Sequence, residues 1–206
     1  MSALSDFEKK VVSALQLELP YPERPRVMDG TRASARAAVL ALFAGEEDPA
    51  LLLTVRTDLV EKHKGQIAFP GGVEEDVDGG DPVKTALRET QEELGIDPGS
   101  VRVLGQLPVL PTVTGFRVIP IVAVLSGIRD FHGVRFERNV QEIAEIFWAP
   151  VKTLLEPGVY RKEFLRVGAV DHPIHVFQVG RHRVWGATGS MIRNLFDRLE
   201  RVPGPA

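Results

Sequence analysis

Cysteine is absent from all 206 residues, which excludes disulfides, thiolate zinc sites and cysteine nucleophiles at once. Any bound metal must therefore be held by oxygen or histidine. No run of lysine and arginine is present and the net charge is -3, so the chain lacks the clustered cations of a general nucleic-acid binder. No apolar stretch is long enough to cross a membrane, and the start, MSALSDFEKK, has neither the basic head nor the apolar centre of a signal peptide. A cytoplasmic protein with a small-molecule ligand, no nucleic acid and no membrane is expected. Neither an internal repeat nor a low-complexity segment occurs, and Val202–Ala206 carries no lipidation motif and reads as a loose tail from about 201 to 206.

What is present fits one globular domain over 1–206, with 44% hydrophobic and 26% charged residues. An N-terminal helix and linker take up about 1–30. Ser5-Asp6-Phe7-Glu8 is a capping-box pattern, and Phe7, Val11, Ala14 and Leu15 follow at helical spacing. Strands are expected at Ala37–Phe43 and Leu51–Val55 around a turn at Gly45–Pro49, then at Val101–Leu107, Val118–Leu125, Glu142–Trp148, Tyr160–Val167 and Ile174–Val179. A short helix is expected over Pro150–Leu155. The last helix, about Ala187 to Glu200, carries Met191, Leu195 and Leu199 on one side.

The most informative stretch lies between Leu51 and Ile96. Asp81 suits an N-cap, Pro82 the first helical position and Gly95 a stop, which predicts a helix over Pro82–Leu94. Val83, Leu87, Thr90 and Leu94 share one stripe, and Glu89, Glu92 and Glu93 gather nearly opposite, so these glutamates are expected to project away from the packed side. A solvated acidic face is the plain interpretation of three such glutamates alone. Phe69-Pro70-Gly71-Gly72 just upstream alters it, because two glycines let backbone approach a ligand and offer carbonyl oxygens. Hard oxygen donors of this kind suit Mg²⁺ or Mn²⁺.

At this point the chain resembles the Nudix hydrolase family, whose signature is G-x5-E-x7-R-E-U-x-E-E-x-G-U. Arg88 through Ile96 match its second half, with Thr90 where an aliphatic is usual. The first half departs: two extra residues separate Gly72 from Arg88, and Gly80 stands where the first glutamate belongs. Glu74, Glu75, Asp76 and Asp78 are all candidates to replace it. The preceding run is similar to the signature of the coenzyme A pyrophosphatase branch, L-L-L-T-x-R-S-x3-R-x3-G-x3-F-P-G-G, at Leu51, Leu52, Leu53, Thr54, Arg56, Gly65, Phe69, Pro70, Gly71 and Gly72. Thr57 and Glu61 depart from it, and Glu61 reverses a charge that could meet a phosphate. Val184–Thr188 is similar to a strand-to-helix junction of the same branch.

The resemblance implies an α/β fold in which a mixed sheet is sandwiched between helices, and an Mg²⁺- or Mn²⁺-dependent hydrolase. It would split coenzyme A or its thioesters into adenosine 3′,5′-bisphosphate and 4′-phosphopantetheine or its acyl form. ADP-ribose, a dinucleoside polyphosphate or a nucleoside triphosphate is the alternative substrate, and a non-catalytic nucleotide sensor the alternative class. Glu89 and Glu93 are the first expected metal ligands, with Glu92 and the Gly72 carbonyl beside them. Arg88 is expected to grip a glutamate in a bidentate contact. Glu89, Glu142 and Glu145 compete for the general base. Arg56, Lys62, His63 and Lys64 are the candidate contacts to substrate phosphate. His172 and His175, three apart on a strand, face opposite ways and share no metal; Trp185 reads as a core aromatic. The oligomeric state is left open, a homodimer among the options.

Overall fold

The computed structural model describes residues 4–21, 35–57, 65–112, 115–167 and 170–203. Helix α1 (Asp6–Leu15) begins at the expected capping box, with Ser5 Oγ accepting from the Glu8 amide and the Glu8 carboxylate from the Ser5 amide. Strands β1 (Ala35–Ala44), β2 (Ala50–Arg56), β3 (Ile67–Ala68) and β4 (Gly71–Val73) follow, then a 3-10 turn at Asp76–Asp78 and helix α2 (Pro82–Leu94). After it come β5 (Val101–Gln106), β6 (Leu110–Pro111), β7 (Phe116–Leu125), β8 (Ile143–Pro150) and the single-turn α3 (Val151–Leu154). Strands β9 (Tyr160–Val167), β10 (Val170–Val179) and β11 (His182–Val184) lead to α4 (Gly186–Arg201).

The main sheet is mixed. Its path is β3-β2-β1-β7-β5, with β8 on β2, β6 on β7 and β4 on β1; among the described residues only β1 and β7 run parallel. Alternation along its strands sends residues to two cores. Ala38, Leu40, Leu42, Leu52 and Ile121 pack with Ala86 and Leu94 of α2, while Ala37, Ala41, Phe43, Leu51 and Leu53 pack with Val11 of α1 and Met191 and Leu195 of α4. Helices thus cover both faces, which is the expected α/β/α sandwich. One departure concerns the two late strands. Rather than joining the mixed sheet, β9 and β10 pair with β11 in a separate antiparallel sheet, because two successive hairpins satisfy their backbone groups locally.

Placement of the site follows from how β1 divides its edge. Its end pairs with β2 at Phe43 and Ala44, and its start pairs with β4 at Ala37, Ala38 and Val39. Gly71 and Gly72 are thereby held against the main sheet beside α2. A Cβ on Gly71, whose φ is +142°, would lie 2.4 Å from the Ala38 carbonyl oxygen and 2.6 Å from Val39 Cα, so only glycine fits there.

Candidate functional site

Helix α2 starts as its sequence predicts: the Asp81 carboxylate accepts from the Val83 amide at 2.9 Å, Pro82 follows, and Gly95 ends it in the left-handed conformation. Its packed face is rotated from the expected stripe. Thr85, Ala86, Thr90, Glu93 and Leu94 are buried, whereas Val83 and Leu87 are only partly so. Glu93 is 2% exposed and does not project away from the packed side; this corrects the sequence expectation. The Gly71 N–H donates to Glu93 Oε2 at 3.1 Å, which holds the buried carboxylate against β4. Glu92 does project, with 56% of its side chain exposed, and Glu89 lies between these extremes.

Glu89 sits directly on Gly72. A Cβ there would fall 2.3 to 2.6 Å from the three carboxylate atoms, so the glycine forms a cradle that a side chain would fill. Gly72→Ala must push that flexible carboxylate aside while leaving backbone alone. Unfolding free energy is expected to change by less than about 1 kcal/mol, with kcat falling about a hundredfold because the carboxylate is misplaced. A large loss of denaturation midpoint would contradict this reading.

Arg88 grips more than a glutamate. It donates to both oxygens of Asp78 (Nε to Oδ1 3.0 Å, Nη2 to Oδ2 3.1 Å), to Glu89 at 2.9 Å, to Glu92 at 3.2 and 3.3 Å and to the Val73 carbonyl. Of the four acidic residues between Gly72 and Gly79, Asp78 is therefore the one that meets Arg88. It is buried, and also accepts from Thr85 Oγ1 and from the Glu75 amide. The Arg88 guanidinium holds its carboxyl well below the usual range, against the opposing effect of burial. Of the other candidates, Glu74 pairs with Arg36 and Asp76 only opens the 3-10 turn.

Across the site, Arg56 at the end of β2 faces Glu93 Oε1 at 3.5 Å and Glu142 Oε2 at 3.9 Å. Glu142 is steered by residues that sequence reasoning missed. Asn139 Nδ2 donates to its Oε1 at 3.0 Å, and buried Thr57 donates its hydroxyl to the Gln141 carbonyl and its amide to the Glu142 carbonyl. The Asn139 and Glu137 amides in turn bond the Glu93 and Leu94 carbonyls at the end of α2. Asn139 carries no sequence signal, since its partner Glu93 is 46 residues away and the others are set by one turn; Thr57 was visible only as a departure from the branch pattern.

Burial pushes Glu93 up to about 7, opposed by the Gly71 N–H and Arg56, with Glu89 and Glu142 adding to the rise. Glu89 is raised for the same reason, against the pull of Arg88. These are crowded, partly desolvated carboxylates beside open glycine backbone, a donor set that fits a hard divalent cation. Among the described residues, no three carboxylate or histidine side chains converge closely enough to form such a site unaided; the guanidinium groups of Arg56 and Arg88 lie between them.

Other expected residues are placed elsewhere. Glu145 shares the face of Phe147, which stacks on His182 at 4.0 Å, and is bound by Arg181 at 2.7 Å and His182 at 3.3 Å. It looks toward β11, on the sheet face opposite α2, and is not brought to the helix glutamates. An irregularity between Val55 and Arg56 separates it from the side served by Ile143. Lys62, His63 and Lys64 lie outside the described residues. His175 is buried with Nδ1 at 2.9 Å from the Tyr160 hydroxyl, so it is structural. Trp185 is 38% exposed beneath the Arg183 guanidinium rather than in the core, because it precedes α4 at the rim of the small sheet.

Comparison with known proteins bears on the family and the fold. The model of the NUDIX domain family matches residues 34–166. The chain is 36% identical over 196 residues to an uncharacterized Nudix hydrolase NudL of Yersinia enterocolitica, covering 95% of this chain and 93% of that protein. It is 36% identical over 200 residues to a protein of the same description from Photorhabdus laumondii, covering 97% and 100%. A MutT/nudix family protein from Enterococcus faecalis superposes with a TM-score of 0.51 at 17% identity, covering 97% of this chain and 76% of that one. The MutT protein of Methanosarcina mazei gives 0.51 at 20% identity, covering 81% and 93%. Among the described residues, no helix is long and apolar enough to cross a membrane.

Proposed function

The chain belongs to the Nudix hydrolase family, and from that premise we propose that it is a divalent-metal-dependent hydrolase of coenzyme A or its thioesters. Pyrophosphate hydrolysis is the family chemistry; the metal and the substrate are our own reading. The observation that carries it is the pair of carboxylates, Glu89 and Glu93, set against the Gly71–Gly72 backbone at the end of the branch-like run from Leu51.

Glu89 and Glu93 would hold Mg²⁺ or Mn²⁺, with Glu92 and the Gly72 carbonyl as further donors. Such an ion neutralises charge on both phosphates and sharpens the nucleophilicity of water. Arg88, locked on Asp78, keeps Glu89 and Glu92 in place. Glu142 is the proposed proton acceptor from the attacking water: it is 41% exposed, faces the same space as Glu93, and is oriented by Asn139. Glu145 is not proposed for that role. Arg56, Lys62, His63 and Lys64 are the proposed phosphate contacts. The water oxygen would bond to one phosphorus as its bond to the bridging oxygen breaks, the bridging oxygen leaving on the other phosphate and the water proton passing to Glu142.

The test is a product assay with coenzyme A, ADP-ribose and diadenosine tetraphosphate side by side, with Mg²⁺, with Mn²⁺ and with chelator. Metal-dependent release of adenosine 3′,5′-bisphosphate from coenzyme A alone is expected. Turnover of only the other two would retain the family chemistry and discard this substrate.

A further inference from the structure

Arg56 has a surrounding that a pure phosphate contact does not need. Its backbone is fixed in both directions, its amide bonding the Gln66 carbonyl at 3.0 Å and its carbonyl the Gly65 amide at 3.2 Å, so only the side chain is free to move. That side chain, 26% exposed, reaches between two carboxylates of different elements. Each carboxylate has one oxygen taken by a neutral donor. Gly71 N–H holds Glu93 Oε2 and Asn139 Nδ2 holds Glu142 Oε1, which leaves Glu93 Oε1 and Glu142 Oε2 turned to the guanidinium.

The site's other arginine is held quite differently. Arg88 makes contacts of 2.9 to 3.3 Å to three carboxylates and one carbonyl, whereas the Arg56 contacts are 3.5 and 3.9 Å. Arg88 is a fixed strut, and Arg56 is a loosely held cation between two carboxyl groups that repel one another when both are ionised.

We propose that Arg56 is a built-in counter-cation that exchanges with the divalent metal: it balances Glu93 and Glu142 before the metal arrives, and is released toward a substrate phosphate afterwards. Binding is then ordered, metal first and anionic substrate second, because the same guanidinium cannot serve both the carboxylates and a phosphate. This rests on the metal-dependent reading above but not on which nucleotide is cleaved.

The experiment is titration of the metal-free protein with Mn²⁺ alone, followed through the paramagnetic resonance of free Mn²⁺, for the wild type, Arg56→Gln and Arg56→Lys. Arg36→Gln is the control, since Arg36 pairs with Glu74 and the Gly80 carbonyl and not with the helix glutamates. Arg56→Gln is expected to bind Mn²⁺ more tightly by on the order of tenfold, with Arg36→Gln within about twofold of wild type. Arg56→Lys should fall between, and it tests the exchange should the glutamine variant fail to fold. Equal or weaker Mn²⁺ binding by the folded Arg56 variants overturns the exchange, as does an equal gain in Arg36→Gln. Failure of the coenzyme A assay alongside a tenfold gain would discard the substrate and keep the exchange; absence of Mn²⁺ binding in every protein would overturn both.

Discussion

Glu93→Gln is expected to lower kcat about a thousandfold with the fold retained, since losing a ligand to the ion forfeits several kcal/mol of transition-state stabilisation. Gln keeps the volume of a side chain that is 2% exposed, and its carbonyl oxygen can still accept from the Gly71 amide. The metal-free protein provides a second, independent readout. Glu93 is raised from 4.5 to about 7 in the fold, so between those values the folded state binds more protons than the unfolded one. Its contribution to stability is complete below about pH 4.5 and is lost as pH rises to about 7, on the order of 3 kcal/mol in all. Thermal melts of metal-free wild type and Glu93→Gln should therefore converge near pH 5 and favour the variant at pH 8, and Mn²⁺ at pH 8 should raise Tm chiefly for the wild type. Parallel pH profiles for the two proteins would place Glu93 in a solvated setting and contradict the geometry.

Asp78→Ala is expected to have the largest effect on stability. Asp78 is buried and accepts from Arg88, Thr85 and the Glu75 amide, so its removal leaves a partly buried guanidinium without its bidentate partner. Breaking such a pair costs about 3 to 5 kcal/mol, readable as a shift in the urea midpoint. Glu75→Ala, at an exposed position, should change stability by no more than about 0.5 kcal/mol. Turnover should fall in Asp78→Ala as well, because a freed Arg88 competes with metal for Glu89 and Glu92. The pH dependence runs opposite to that of Glu93: Asp78 is depressed in the fold, so its contribution is present above about pH 3.8 and is lost as pH falls. A Glu75→Ala variant less stable than Asp78→Ala would reassign the carboxylate that meets Arg88.

Much of this molecule was legible along the chain where the rules are local. The caps of α1 and α2 depend on residues within four positions of one another, so Ser5, Glu8, Asp81, Pro82 and Gly95 could be assigned without a fold. The spacing of Arg88, Glu89, Glu92 and Glu93, with the run from Leu51 to Gly72, carried the family resemblance for the same reason. What packing decides was not legible. The face on which α2 is buried depends on its packing against β1 and β4, and so does the burial of Glu93, which accepts from the Gly71 amide. Asp78 rather than Glu74, Glu75 or Asp76 meets Arg88 because a 3-10 turn folds it inward, and all four look alike in composition. Glu142 and Glu145 look alike in composition, yet Glu142 sits in the turn before β8 and faces Arg56, whereas Glu145 lies on β8 and is bound by Arg181 and His182. Sequence by itself determined the helices, the longer strands and the family, since these depend on short-range spacing, but not the short strands β3, β4, β6 and β11, whose few residues carry no period of their own. Only the tertiary structure decided which charges meet and which are dry, because ion pairing and desolvation are properties of surfaces brought together from distant parts of the chain.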